Sequence, residues 1–274
     1  MVPERNQPYE YKAESDPNNG LYKLTTQAKT PITVGPGERA QIETTLFIGP
    51  KIQEQLKSVA QDLELSVDFG VLAFLSAPLF WVLERAHRLV QNWGLAIILV
   101  TLLIKLLFYP LTEASGKSMA KMRKVQPRIK AIQDRHKDDK QAQSQAMMEL
   151  YKKEKVNPMA GCLPMLIQIP FFIAFYWVLL ESVEIRQAPF FLWIQDLSSR
   201  DPYFVLPLLM GLGMFFQQKL NPAPPDPMQA KVMTAMPIMF TAMFAFFPSG
   251  LVLYWLTNSL LSIAQQWKIN RAAQ

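Results

Sequence analysis

A run of 36 residues without a charge, between Lys231 and Lys268, constrains this chain more than any other feature. The run is rich in Met, Phe, Leu and Val, and it is much longer than the roughly 20 residues with which one helix crosses a bilayer. It is therefore predicted to cross a membrane twice. Charged residues make up 18% of the chain, against about 25% in an average soluble domain, and this deficit also indicates a membrane protein.

Five apolar segments satisfy this length criterion. Lys105 in the first is the one charge away from a segment end, since Glu181 and Lys219 are the last residues of the second and third. Backbone polar groups in lipid need partners within the protein, and helices of these lengths provide them. We therefore predict an all-α polytopic membrane protein with a five-transmembrane-helix core. The predicted spans are residues 92–112, 161–181, 203–219, 232–247 and 249–267.

The loops between these spans differ in charge, which predicts their sidedness. Within residues 113–160, twelve Lys and Arg outnumber six Asp and Glu, so this loop is predicted to be cytoplasmic. Acidic residues outnumber basic ones in residues 182–202, so that loop is predicted to be periplasmic. The short loop at residues 220–231 and the tail at residues 268–274 then lie in the cytoplasm.

The chain before the first span has a different character. Residues 1–66 contain β-rich runs separated by Gly and Pro, which predicts an extracytoplasmic β segment. No apolar leader precedes it, and so few residues rarely form a complete sandwich, so we expect a truncated chain without its signal anchor and most of a β domain. Residues 67–91 are interrupted by Pro78 and become basic, which predicts an amphipathic helix lying at the membrane interface.

Lys105 is the first candidate functional residue, because a cation at the centre of a span costs about 2.5–3.5 kcal/mol on insertion scales. Its long side chain also allows it to reach the cytoplasmic headgroups instead, and position alone leaves both interpretations open. Thr101 and Thr112 share its helical face, which favours a polar interior. Apart from Glu181, the last residue of the second span, no Asp or Glu lies within a predicted span, so a cavity around Lys105 would attract acidic or polar segments.

Residues 113–160 are predicted to form a basic helical hairpin, because apolar residues recur at helical spacing on both sides of the sequence HKDDK. Its charges fit a solvated face with a topology signal, or a docking surface for anionic lipid or ribosomal RNA. The residues predicted to dock a ribosome or lipid are Lys121, Arg123, Lys124, Arg128 and Lys130.

Catalysis is poorly supported by the sequence. The single cysteine, Cys162, excludes an internal disulfide framework, and His87 and His136 lack a paired metal-ligand spacing. Neither a metal nor another cofactor is predicted. A serine and lysine dyad formed by Ser262 and Lys105 is conceivable, but we predict that the chain is not an enzyme.

Several strings of residues resemble the YidC/Oxa/Alb family of membrane protein insertases, most closely its Gram-negative bacterial members. The resemblance extends from about Thr30 to Arg271. Its strongest strings are NWG (92–94), YPLT (109–112), SMAKM (118–122), LYKKEKVNP (150–158), GCLPMLIQIPFF (161–172), SVEIRQAPF (182–190) and FPSGLVLYW (247–255).

The resemblance implies a multi-pass protein of the bacterial inner membrane. It has a five-helix insertase core around a hydrophilic groove, a cytoplasmic helical hairpin and the remnant of a periplasmic β-sandwich. The implied groove residues are Lys105, Thr101 and Gln168, with Lys105 standing where many relatives have Arg. The implied contacts with the apolar helix of a client are Ile169, Pro170, Met243 and Trp255. The implied partners are nascent membrane proteins, the Sec translocon, the ribosome and membrane lipids.

A different function class also fits the residues. Seven of the 14 methionines lie in the third and fourth spans and the loop between them. Flexible thioethers suit a surface that accepts many apolar partners, so a passive chaperone or assembly scaffold without insertion activity is the alternative hypothesis.

Overall fold

The computed structural model describes residues 9–16, 20–41, 46–137, 139–156, 163–220 and 227–272. Cys162 and residues 221–226 of the predicted loop lie outside the described residues. The chain divides into two compact units, Met1–Asp68 and Phe69–Gln274.

The first unit contains a β-hairpin and a short helix. Strands β1 (Tyr9–Asp16) and β2 (Leu21–Ala28) pair antiparallel, with Tyr9 opposite Ala28 and Asp16 opposite Leu21. Gly20 has a φ of 63° and donates its backbone N–H to the carbonyl of Asp16, a conformation that glycine adopts without strain. Helix α1 (Gln53–Val59) follows and buries Leu56.

The second unit consists mainly of helices in its described residues. Its helices are α2 (Ala73–Val90), α3 (Trp93–Leu107), α4 (Tyr109–Arg135), α5 (Lys140–Lys153), α6 (Leu163–Glu181), α7 (Val205–Leu220), α8 (Pro227–Phe244) and α9 (Ser249–Ala272). Helix α9 packs against α3, α4, α6 and α7 and is therefore the central element of this unit. Its Leu251, Val252 and Tyr254 are buried.

A side-chain cap at the start and a proline just after the end set the limits of α3. Asn92 accepts a hydrogen bond from the Leu95 N–H at 3.0 Å and so caps the first turn. Helix α3 ends at Leu107, five residues before the predicted end of the first span, and the chain bends by 65° into α4. Pro110 lies in the first turn of α4 and has no N–H to continue the hydrogen bonds of α3.

Within the described residues, no helix taken alone combines the length and the apolar character needed to cross a membrane. Helices α3 and α4 meet that requirement together, as the pair bent at their junction. Shorter apolar helical stretches run over Leu166–Glu181, Val205–Leu220 and Ala230–Phe244. The limits of the spans and the sidedness of the loops stay predictions.

The basic hairpin consists of α4 and α5. Asp139 accepts hydrogen bonds from the N–H groups of Gln141 and Ala142 and caps α5. A small apolar seam holds the two helices together and consists of Val125, Ile129, Tyr151 and Val156, with Met122, Met147 and Leu150 at its edge. Burial in this seam raises the pKa of the Tyr151 hydroxyl.

The loop between α6 and α7, residues 182–204, is tied to the start of α9. Ser249 and Gly250 donate their backbone N–H groups to the carbonyls of Ser199 and Leu197, at 2.7 and 2.9 Å. The Ser249 hydroxyl donates to the carbonyl of Asp196. The first N–H groups of a helix have no partner within the helix, so the α6–α7 loop supplies the acceptors that α9 lacks.

Candidate functional site

Lys105 lies in the last turn of α3, and its side chain points toward α9. Its Nζ donates a hydrogen bond of 2.7 Å to the hydroxyl of Ser262, 157 residues further along the chain. The Ser262 hydroxyl in turn donates to the carbonyl of Asn258, also at 2.7 Å. Tertiary packing therefore joins Lys105 to two polar residues of α9.

A pocket opens beside Lys105, between α3, α4, α6 and α9. Four polar side chains line it, and the edge-to-face pair of Phe108 and Phe171, with ring centroids 5.2 Å apart, forms part of its apolar wall. The lining residues are Ile104, Lys105, Phe108, Leu111, Thr112, Ile167, Gln168, Phe171 and Asn258.

The pocket is positively charged. None of its lining residues is acidic. In the part of the chain that the structure describes, no carboxylate lies within 4.0 Å of the Lys105 nitrogen. A cation without a counter-ion in a cleft with apolar walls attracts negatively charged groups, because the walls weaken the screening by water.

Hydrogen bonding differs among the polar groups around the pocket. The Thr112 hydroxyl donates to the carbonyl of Phe108 in its own helix. The Gln168 amide donates to the Tyr254 hydroxyl at a long 3.5 Å. Among the described residues, the buried Oδ1 of Asn258 has no hydrogen-bond partner, and such an atom is destabilising unless water or another donor reaches it.

The predicted groove residues do not all reach this pocket. Lys105 and Gln168 line it. Thr101 is 1% exposed, does not line the pocket, and donates its hydroxyl to the carbonyl of Ile97. Asn258 and Ser262 are not among the groove residues that the resemblance implies, although both are polar residues of a predicted span that could line a cavity together with Lys105. Their spacing of four on α9 places them on one helical face, which is the signal that could have identified them.

The predicted client contacts occupy two environments. On α6, Ile169 is 44% exposed and Pro170 is exposed as well. On α8, Met243 is 42% exposed. Trp255 is only partly exposed, because its ring packs against aromatic rings of α6 and α8. The centroid distances from Trp255 are 5.0 Å to Phe172, 6.1 Å to Phe240 and 5.4 Å to Phe244.

The five predicted docking residues are all exposed on α4, but some already have partners. Arg128 forms an ion pair with Glu154 across the basic hairpin. Arg123 donates to the carbonyls of Lys219 and Leu220 at the end of α7, at 3.3 and 2.9 Å. Lys121 and Lys130 are the clearest candidates for an external anionic partner.

Hydrogen bonds shift the pKa values of Asp196 in the α6–α7 loop and of the Glu113 and Lys117 pair on α4. Burial raises the pKa of Asp196, but hydrogen bonds from Ser198, Ser199 and the Gln187 N–H outweigh it, so the pKa lies below its usual value. On α4, the hydrogen bond and the charge of Lys117 lower the pKa of Glu113, and Glu113 raises the pKa of Lys117 in the same way.

Comparisons with known proteins agree with the resemblance. Residues 85–274 match the family described as the 60Kd inner membrane protein, and residues 1–82 match the YidC periplasmic domain. Relatives named membrane protein insertase YidC include those of Nitrosococcus oceani, Alkalilimnicola ehrlichii and Francisella tularensis subsp. novicida. They are 62%, 65% and 63% identical over 87%, 87% and 90% of this chain. The matches cover 44%, 42% and 45% of those relatives, so the chain spans less than half of their length.

A solved structure gives the same answer at the level of the fold. The crystal structure of an active YidC insertase with the first transmembrane domain resolved matches with a TM-score of 0.64 and 28% identity. The match covers 96% of this chain and 65% of that one. These findings confirm the predicted family and the predicted all-α membrane fold with a periplasmic β remnant. The chain belongs to the YidC family of 60Kd inner membrane proteins.

Proposed function

We propose that this chain forms the helical core of a membrane protein insertase, as the names of its relatives suggest. One observation carries the proposal. Lys105, which has no counter-ion among the described residues, lines a pocket between α3, α4, α6 and α9 together with three uncharged polar side chains. Intramembrane cations are costly and are commonly retained for function.

The pocket offers a physical route for a polar tail. Transfer of a polar segment through lipid is unfavourable, because its backbone and charges lose their hydrogen bonds to water. A pocket that carries Lys105 and three other polar side chains between the helices shortens the apolar distance that remains. An acidic tail is in addition attracted by Lys105, so it enters more readily than a neutral tail. Charge complementarity and the client's own helix burial then drive the step.

The apolar helix of the client needs a surface along which it can leave into lipid. Ile169 and Pro170 on α6 and Met243 on α8 present exposed apolar groups. The flexible thioether of Met243 adapts to side chains of different shapes. We assign client contact to these residues and to Trp255, whose ring is held in place by packing against aromatic rings of α6 and α8.

The predicted topology supplies the remaining partners. The basic hairpin faces the cytoplasm in this proposal, where Lys121 and Lys130 meet ribosomal RNA and the nascent membrane protein arrives. The α6–α7 loop faces the periplasm. Lipids surround the helices, and the Sec translocon is a partner for clients that need it. No catalytic step belongs to this mechanism.

Reconstitution separates insertion from passive holding. Purified protein in liposomes is expected to insert a short-tailed client without a further factor, measured as protection of the translocated tail from added protease. Empty liposomes give the background. A client that crosslinks to the protein but stays protease-sensitive would instead support the scaffold. A client cleaved by the protein would support the dyad of Ser262 and Lys105.

Ribosome docking is tested on Lys121 and Lys130, the two clearest candidates of the basic hairpin. Lys121→Gln together with Lys130→Gln is expected to weaken binding to ribosomes about tenfold and to lower the salt dependence of the affinity, because phosphate contacts release counter-ions. Sedimentation with ribosomes at several salt concentrations measures both effects. Lys23→Gln with Lys57→Gln removes the same charge from the first unit and serves as the control. Equal binding by the two double variants would exclude the docking role.

A further inference from the structure

The hydroxyl of Ser262 is held in a fixed orientation. A serine hydroxyl has one proton to donate and two lone pairs with which to accept. The proton is directed to the Asn258 carbonyl, 2.7 Å away in the same helix. A lone pair is therefore left for the Lys105 ammonium, whose nitrogen also lies at 2.7 Å. Donation to the carbonyl strengthens the oxygen as an acceptor, because hydrogen bonds in a chain polarise one another.

The Lys105 side chain could also extend away from Ser262, along the exposed face of α3. Its neighbours Leu103, Leu106 and Leu107 are exposed, so the outer face of α3 is apolar and open at this level. A lysine on such a face extends its stem along the apolar surface until the ammonium reaches a polar phase. Ser262 is the hydrogen-bond partner that the structure gives Lys105 among the described residues. The choice between the two directions thus depends on this one hydroxyl.

We propose that Ser262 is a positioning residue, which holds the Lys105 ammonium beside the pocket and against α9. The inference rests on the proposed function only for its effect on insertion, since the contact itself is independent of any client. Ser262 does not line the pocket and so acts through Lys105. This role differs from a nucleophile's, because here the lysine donates to the serine and takes no proton from it.

The first experiment measures the position of Lys105 without a client. The lysines of the purified protein are methylated with ¹³C, and the Lys105 signal is assigned by its loss in Lys105→Met. Ser262→Ala is expected to shift this NMR signal, and Ser262→Thr, which keeps a hydroxyl, is expected to leave it close to its original position. The control is Thr234→Ala on α8, because the Thr234 hydroxyl donates to the Ala230 carbonyl in the same manner. An unchanged Lys105 signal in Ser262→Ala would overturn the proposal.

The second experiment measures insertion of a client with an acidic tail into liposomes. Ser262→Ala is expected to lower the initial rate at least about tenfold, the effect of losing one hydrogen bond to a charged group, while Ser262→Thr is expected to retain most of the rate. In a Lys105→Met background the same change is expected to have no further effect. An equal loss in that background would show that Ser262 acts by packing alone and would overturn the proposal. Failure of the unsubstituted protein to insert the client would refute the proposed function, while the NMR result would still decide the role of Ser262.

Discussion

Lys105→Glu is expected to slow insertion of a client with an acidic tail about 100-fold, while the protein remains folded. The change replaces an attraction of about 1–2 kcal/mol across roughly 10 Å by a similar repulsion, and the sum of about 3 kcal/mol corresponds to this factor. Among the described residues no carboxylate lines the pocket, so the charge of its described lining changes from positive to negative. Protease protection in liposomes measures the rate, and thermal unfolding measures the fold.

Two controls make the Lys105→Glu result specific to charge. Lys105→Arg keeps the cation and is expected to retain most of the activity, even though a guanidinium presents its donors in a different geometry. In Lys105→Glu, insertion of a client whose acidic residues are replaced by Ser or Asn is expected to slow much less than insertion of the acidic client. Equal insertion of the acidic client by Lys105→Glu and by the unsubstituted protein would remove Lys105 from the mechanism.

Asp201→Ala is expected to have the largest effect on stability. Asp201 is 1% exposed and accepts three hydrogen bonds, from the Trp193 indole at 2.9 Å and from the N–H groups of Tyr203 and Leu206 at 3.0 and 2.7 Å. Alanine leaves all three donors without this acceptor at the start of α7. We expect a loss of about 3–5 kcal/mol, because unpaired buried polar groups carry their full desolvation cost.

Thermal unfolding in detergent measures this loss. A fall in Tm of about 10 °C is expected for Asp201→Ala in a chain of this size. Asp134→Ala is the matched control, since Asp134 is exposed on α4 and forms only a loose ion pair of 3.4 Å with Lys137. Exposed pairs of this kind contribute little. Similar Tm values for the two variants would show that Asp201 does not stabilise the start of α7.

Part of the site was predictable because it depends on local pattern. Lys105 is identified by being the one charge in an apolar segment, and Gln168 lies in a string of residues that characterises the family. The basic hairpin follows from apolar spacing on both sides of a polar break, and α4 and α5 lie on either side of it. Each of these features is a property of about twenty consecutive residues.

The sequence was less informative where hydrogen bonds join segments that are distant along the chain. Asp196 and Asp201 count only as negative charge in a loop, but in the structure the residues 196–201 supply acceptors to the starts of α7 and α9. Arg123 counts as one of several basic residues on a helix, and yet it donates to carbonyls at the end of α7. Composition cannot distinguish such buried or bridging roles from ordinary surface charge.

The sequence alone determined the family, the helical character of the chain and the presence of a cation in an apolar segment, since these depend on residue identity and on short-range periodicity. Only the tertiary structure decided where that cation points. Ser262 lies 157 residues from Lys105, and packing of α9 against α3 brings their polar atoms to 2.7 Å. A hydrogen bond depends on distance in space, and helical periodicity specifies the face of a residue without specifying which helix that face will meet.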